Sequence, residues 1–235
     1  ITEVRRDNQL HHLLLKALIE RAPTRVEFLA KLHGVDAPED ASAWRDRGIG
    51  EILEYVDSAW AVADTSGPAA LSASQTALVE TIRGYGIALS DRDMETIHRF
   101  HQTFIDAGPG LRFTSFGRAP RPYYPTYRQL LVETDVDGGR VSYLATSDRY
   151  DVVRDLHLAN RIIPVVGDMS GPTALREMGA VMTELGVELT AFYTSNVEFY
   201  LWESRTFDRW LENLASLPRS KEAVVIRSYF PNFGG

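Results

Sequence analysis

The stretch Ile162-Ile163-Pro164-Val165-Val166-Gly167-Asp168-Met169-Ser170-Gly171-Pro172 decides how this chain is read. Ile162–Val166 is a continuous apolar run, the pattern of a strand buried on both faces. Gly167-Asp168 turns the chain at its end. Pro172 then suits the first turn of a helix, and Pro172–Leu185 carries Ala174, Leu175, Met178, Val181 and Met182 on one face. A strand ending in Gly-Asp before a helix is where ligands sit in open α/β sheets, and the free N–H groups of a helix start favour an anion. Asp168 is suited to accept from a ligand hydroxyl or amine, or to act as a base. The plainer alternative is that Asp168 or Ser170 caps the helix.

Outward from this stretch the alternation continues. Val187–Tyr193 reads as a strand ending in Tyr193-Thr194-Ser195-Asn196. Ser195-Asn196-Val197-Glu198 reads as a capping box opening a helix that runs to about Ser216. Ala223–Arg227 reads as a final strand. Upstream, Arg140–Ala145 is a short strand candidate and Ser147–Ala159 a helix with Val152, Val153 and Leu156 inward. Alternating strands and helices with short connections predict a doubly wound, mostly parallel sheet, Rossmann-like in class, over residues 127–235. In such a sheet Ile162–Val166 and Val187–Phe192 are neighbouring, solvent-free strands.

The first half reads differently. Leu10, Leu13, Leu14, Ala17 and Leu18 recur at helical spacing up to Pro23. Thr24-Arg25-Val26-Glu27 is a capping box for a second helix that Gly34 ends. Ile49–Trp60 outlines a third, Leu71–Tyr85 a fourth, and Ser90 caps a fifth carrying Met94, Ile97, Phe100 and Phe104. Gly108-Pro109-Gly110 stops it, and Gly117–Pro125 reads as a loop. Residues 9–110 are thus expected to be a helical insertion, a lid packed on the sheet. His98 and His101, three apart on the fifth helix, lack a third metal ligand beside them, so packing is the better reading there.

Composition narrows the function. The 235 residues are 44% hydrophobic and 24% charged, which excludes a disordered or low-complexity chain. A net charge of −7 argues against a general nucleic-acid binder. The absence of cysteine removes disulfides and thiolate chemistry. No apolar run is long enough for a bilayer span and no signal peptide is visible, so a cytoplasmic protein with a small-molecule partner, and neither nucleic acid nor membrane, is expected. The opening Ile1-Thr2-Glu3 reads like the end of a strand, so the chain is expected to lack an upstream strand and glycine loop. An acidic residue at such a strand end is the usual ribose partner in nucleotide-binding folds, which makes Glu3 a third candidate.

Thr134-Asp135, Ser142-Tyr143-Leu144-Ala145, Pro164–Asp168, Ser170-Gly171-Pro172, Ala191–Leu201 and the opening Arg5-Arg6-Asp7-Asn8 together resemble a family of uncharacterised bacterial proteins. Its members are similar in layout to class I methyltransferases that use S-adenosylmethionine, and an Asp usually stands where this chain has Glu3. The resemblance implies S-adenosylmethionine as cofactor, with Glu3, Asp168, Ser170 and Gly171 around it, and Asp168, Tyr193 and Asn196 as catalytic candidates facing an unidentified small-molecule acceptor. The alternative is a non-catalytic Rossmann-like domain that binds a nucleotide, a small anion or a protein partner. A nicotinamide oxidoreductase comes third, since no dinucleotide fingerprint is present. All five site residues outside the glycine are expected to meet in one cleft at the carboxyl edge of the sheet.

Overall fold

The structure, a computed structural model, describes residues 1–63, 68–112 and 121–228. The chain divides into two compact units, one of Leu10–Ile163 and one of Ile1–Gln9 with Pro164–Gly235. The first division falls within the first helix, Arg6–Glu20, and the second just before a strand; each unit is described by itself.

The unit Leu10–Ile163 is helical. After α1 (Arg6–Glu20) come α2 (Arg25–Leu32), α3 (Ile49–Val62), α4 (Pro68–Gly84), α5 (Asp91–Ala107), α6 (Tyr127–Val132) and α7 (Ser147–Leu158). Local chemistry sets most of these limits. Thr24 accepts from the Glu27 N–H while Glu27 reaches back to the Thr24 N–H, and Ser90 and Asp93 repeat the arrangement at the head of α5. Gly34 follows α2 at φ +68°, a left-handed position that glycine fills without strain. One continuous core joins Leu10, Leu14, Phe28, Leu29, Ile52, Leu53, Val56, Ile82, Ile97 and Tyr150.

A charge lies inside this core. Arg25 is 3% exposed, and no carboxylate pairs with it among the described residues. Its Nη1 donates to the carbonyls of Leu144 and Ala145, each at 2.9 Å, and its Nη2 to those of Arg45 and Arg47 at 2.7 and 2.8 Å. Four carbonyl dipoles thus take the place of a counter-ion, and one side chain fixes two segments about 100 residues apart.

The second unit contains the strands. β1 (Thr2–Glu3) pairs in parallel with β2 (Val165–Val166), and β3 (Leu189–Tyr193) pairs in parallel with β4 (Arg219–Ile226). α8 (Ala174–Glu184), α9 (Val197–Glu203) and α10 (Phe207–Ala215) accompany them. Its core is smaller: Leu175, Leu201, Trp210, Leu214 and Leu217.

The expected doubly wound, Rossmann-like sheet is therefore corrected. The chain is 55% helix and 10% strand, and its strands form two separate two-stranded sheets among the described residues. Ile162–Val166 does not pair with β3 and is not solvent-free: Ile163 is 60% and Val166 39% exposed. Pro164 interrupts the run; having no N–H to give to a ladder, it delays pairing until the Val165 N–H, which donates to Ile1. Arg140–Ala145 is not a strand either. Ser142 closes a turn onto Leu144 and Ala145, and the carbonyls a strand would pair are turned to Arg25. Val152 on α7 is exposed, and Tyr150 and His157 are buried instead. Of the expected loop at Gly117–Pro125, residues 117–120 lie outside the described residues.

Arg25→Met should destabilise the helical unit by about 3 kcal/mol or more, because buried carbonyls lose charged donors. Arg25→Lys should recover less than half of that, since a point ammonium cannot reach four acceptors in a plane. Urea denaturation followed by helical circular dichroism measures both.

Candidate functional site

The register of the first sheet places Glu3 beside Val166. Strands β1 and β2 are parallel, so both end at one rim, and the chain leaves β2 there through Gly167 and Asp168. Gly167 has a steric reason: a Cβ would stand 2.5 Å from the Cβ of Ala174, the first residue of α8. Asp168 then builds a compact turn. Its Oδ1 accepts from both the N–H and the hydroxyl of Ser170 at 2.8 Å, and its carbonyl accepts from the Gly171 N–H at 2.9 Å. This is a side-chain-closed turn two residues on. It is not a cap of α8, whose N-cap is Thr173, with no side-chain cap bond.

The turn is braced from α10. Asn213 is 3% exposed, and its Nδ2 donates to the carbonyls of Met169 and Gly171 at 3.0 and 2.8 Å. Its Oδ1 accepts from Arg176 Nε at 3.2 Å. Sequence reasoning missed Asn213. The signal was a polar residue three after Trp210 and one before Leu214, on the face of α10 that is buried.

These contacts sort the expected cofactor residues. Ser170 is buried with its hydroxyl given to Asp168, and the Gly171 N–H is spent inside the turn. Asp168 is exposed and keeps Oδ2 without a hydrogen bond among the described residues. Asp168 therefore keeps a carboxylate oxygen for a ligand, while Ser170 and Gly171 shape its loop, and Glu3 stands at the neighbouring register position on β1.

Tyr193 and Asn196 belong to the other sheet. Tyr193 pairs with Ile226 and is 66% exposed. Thr194, which follows, is buried, and its N–H and hydroxyl both donate to the Ile226 carbonyl at 3.0 and 3.3 Å. Asn196 precedes α9 with no cap bond, so the expected capping box does not form. Glu198 turns instead to Arg227, accepting from Nε at 2.8 Å and Nη2 at 2.5 Å. The Arg227 guanidinium holds the Glu198 carboxyl below its ordinary range. The helix expected to reach Ser216 breaks at Ser204–Thr206, where Arg205 is left-handed and the Thr206 N–H closes on Leu201.

The structure thus brings Glu3 and Asp168 to one rim and Tyr193 and Asn196 to another, and no shared sheet joins the two sets among the described residues. The common edge that was to gather all of them is absent with the doubly wound sheet. His98 and His101 do not share a ligand: His98 Nε2 meets Gln75 and His101 Nε2 meets the Lys31 carbonyl. Among the described residues no group of three metal-ligating side chains occurs, and no helix is long and apolar enough to cross a membrane.

A helical unit and a small unit of paired parallel strands, the latter with an Asp-closed loop at a strand end, are the features that define the class of this protein. Residues 89–232 match a family described as a domain of unknown function, DUF7790, over more than half the chain, and the chain belongs to that family. Asp168, Ser170, Gly171, Tyr193, Asn196 and Asn213 fall inside the matched region, and Glu3 falls outside it. No curated protein matches the chain.

Gly167→Ala should cost about 1–3 kcal/mol through overpacking against Ala174. Adding Ala174→Gly should recover most of the loss. Thermal melts of the single and double variants test the contact.

Proposed function

We propose that the unit formed by residues 1–9 and 164–235 binds S-adenosylmethionine at the shared ends of β1 and β2, and transfers its methyl group to a small-molecule acceptor. The observation that carries this reading is the register of Glu3 against Val166, which sets an acidic residue beside the Asp168 loop. The reading rests on this strand-end geometry and not on a Rossmann-like sheet. The donor set fits such a ligand: exposed carboxylate oxygen accepts from ribose hydroxyls and attracts an ammonium, whereas a phosphate-rich ligand would meet like charge. When bound, S-adenosylmethionine supplies an electrophilic methyl group. The protein's part is to hold donor and acceptor in line, with a base needed only for a weak nucleophile. Asp168 Oδ2 is the group placed to take such a proton, and Tyr193 and Asn196 are candidates for contacting the acceptor.

A second reading has an observation of its own. Val224, Val225 and Ile226 on β4 and Phe199, Tyr200 and Trp202 on α9 are each about half exposed, and apolar clusters of this kind mark interaction surfaces. In that reading the unit is a non-catalytic module that holds a protein partner.

Thermal shift with S-adenosylmethionine, S-adenosylhomocysteine and NAD separates the two. A ligand at ~100 times its dissociation constant should add about 2.7 kcal/mol. The first two compounds should stabilise the protein and NAD should not. Asp168→Asn should keep the turn, because Asn Oδ1 still accepts from Ser170, yet lose the ligand shift. Asp168→Ala should lose the shift and about 1–3 kcal/mol of stability with it. No shift with either sulfur compound would leave the partner-binding reading.

A further inference from the structure

In the helical unit, α2 and α5 are joined by two histidines that bond reciprocally. His33, at the C-cap of α2, donates from Nδ1 to the Phe104 carbonyl of α5 at 3.0 Å. His101, on α5, donates from Nε2 to the Lys31 carbonyl of α2 at 3.0 Å. Both rings are almost solvent-free, at 0% and 2% exposure. The second nitrogen of each, His33 Nε2 and His101 Nδ1, is buried with no hydrogen-bond partner. A carbonyl only accepts, so the bonded nitrogens carry the protons and the buried second nitrogens are bare lone pairs. In this state each imidazole N–H has an acceptor, and only the two lone pairs lack a partner. A second proton on either ring would place an N–H and a full charge where nothing accepts them.

The surroundings offer little to an imidazolium. His33 faces Asp57 of α3 and Arg128 of α6, and those two are paired with each other. Tyr127 of α6 presents a ring edge to it, and His101 adds a like charge. His101 faces His98 on its own helix, which is bonded to Gln75 of α4. On the far side of Phe104 stands a third ring, His11 of α1, which also stacks near Phe100 and has His12 next to it. Hence α5 touches α1 and α2 through three imidazoles, and among the described residues Asp57 is the carboxylate that acts on the two latch rings.

We propose that His33 and His101 form an acid latch: neutral, they sew α2 to α5; protonated, they release α5 from the helical core. A pair of amide side chains would sew equally well at neutral pH, but would not let go in acid. Burial pushes His33 down to about 4 from an ordinary 6.5, and lowers His101 and His11 as well. The open state takes up protons more readily than the closed one. The latch therefore contributes fully above about pH 6.5 and weakens as the pH falls toward 4. For His33 alone, the opening equilibrium should rise on the order of 100-fold between pH 7.5 and 4.5.

Hydrogen exchange read by mass spectrometry over that range, corrected for the intrinsic rate, tests the latch. Peptides from α5 should gain opening by the order of 100-fold while α1 changes far less. In the double variant His33→Asn, His101→Gln, whose amide nitrogens replace Nδ1 and Nε2 respectively, the rise in α5 should fall below tenfold. A wild-type α5 that opens less than threefold more at pH 4.5, or opens only together with α1, would overturn the proposal, as would an unchanged rise in the double variant. Should that variant not fold, the wild-type His33 ring followed by NMR decides: titration near 4 that coincides with α5 opening supports the latch, and titration near 6.5 sinks it.

Discussion

The helical unit is organised around one buried cation with no anion. Bringing a guanidinium into a core costs several kcal/mol unless its donors are met. Arg25 meets most of that demand with four backbone carbonyls contributed by two loops, which take both terminal nitrogens and leave the buried Nε without an acceptor. The loops in turn depend on it. The Arg45 carbonyl also accepts from the Ser147 hydroxyl, and Arg45 pairs with Asp151, so the start of α7 is located by the same cluster. Burial lowers the Arg25 pKa without discharging it, since a guanidinium starts far above neutrality. The geometry needs a planar fork and a fixed cation, and it consumes carbonyls that would otherwise look for a strand.

What was legible in the sequence was local. Capping boxes at Thr24 and Ser90, the glycine after α2, and the apolar stripes of α1, α3 and α5 all lie where the residues indicate. Each is fixed by residues within four positions of one another. Two strands were legible, since β3 and β4 run where Val187–Tyr193 and Ala223–Arg227 indicate; how strands assemble into sheets was not, because an apolar run shows that a segment is to be covered and not by what. Ile162–Val166 looks like a central strand, yet Pro164 leaves only two residues able to pair. The site divides in the same way. The turn at Asp168 could be read from Gly-Asp-x-Ser-Gly, but its brace at Asn213 lies more than 40 residues away. His101 invited comparison with His98 three positions back, whereas its counterpart is His33 on another helix.

The strand unit carries its own tension between pattern and place. Ala223-Val224-Val225-Ile226 is apolar on both faces, as in strands with neighbours on either side. Only β3 lies beside it among the described residues, and the outer edge is open. Arg219 and Lys221 at the start of β4 are charges of the kind that blunt an open edge. The Glu198–Arg227 pair at its end is more than half exposed on the arginine side, so it adds register and little stability. The ligand site proposed at the β1–β2 rim and the apolar display along β4 thus fall on different elements, and substitutions can address them separately.

The two halves of the strand unit flank the helical unit in the chain, and this orders events during synthesis. β1 is translated before its partner Val165–Val166, which follows about 160 residues later, on the order of 10–30 s at the usual speed of a ribosome. The helices Arg25–Leu32 through Ser147–Leu158 have all their core partners within that interval. They can close co-translationally while Ile1-Thr2-Glu3 still waits. β1 is thus made before the helical unit and paired after it, and until then the nascent chain carries a strand whose partner has not been synthesised, a backbone edge open to chaperone capture.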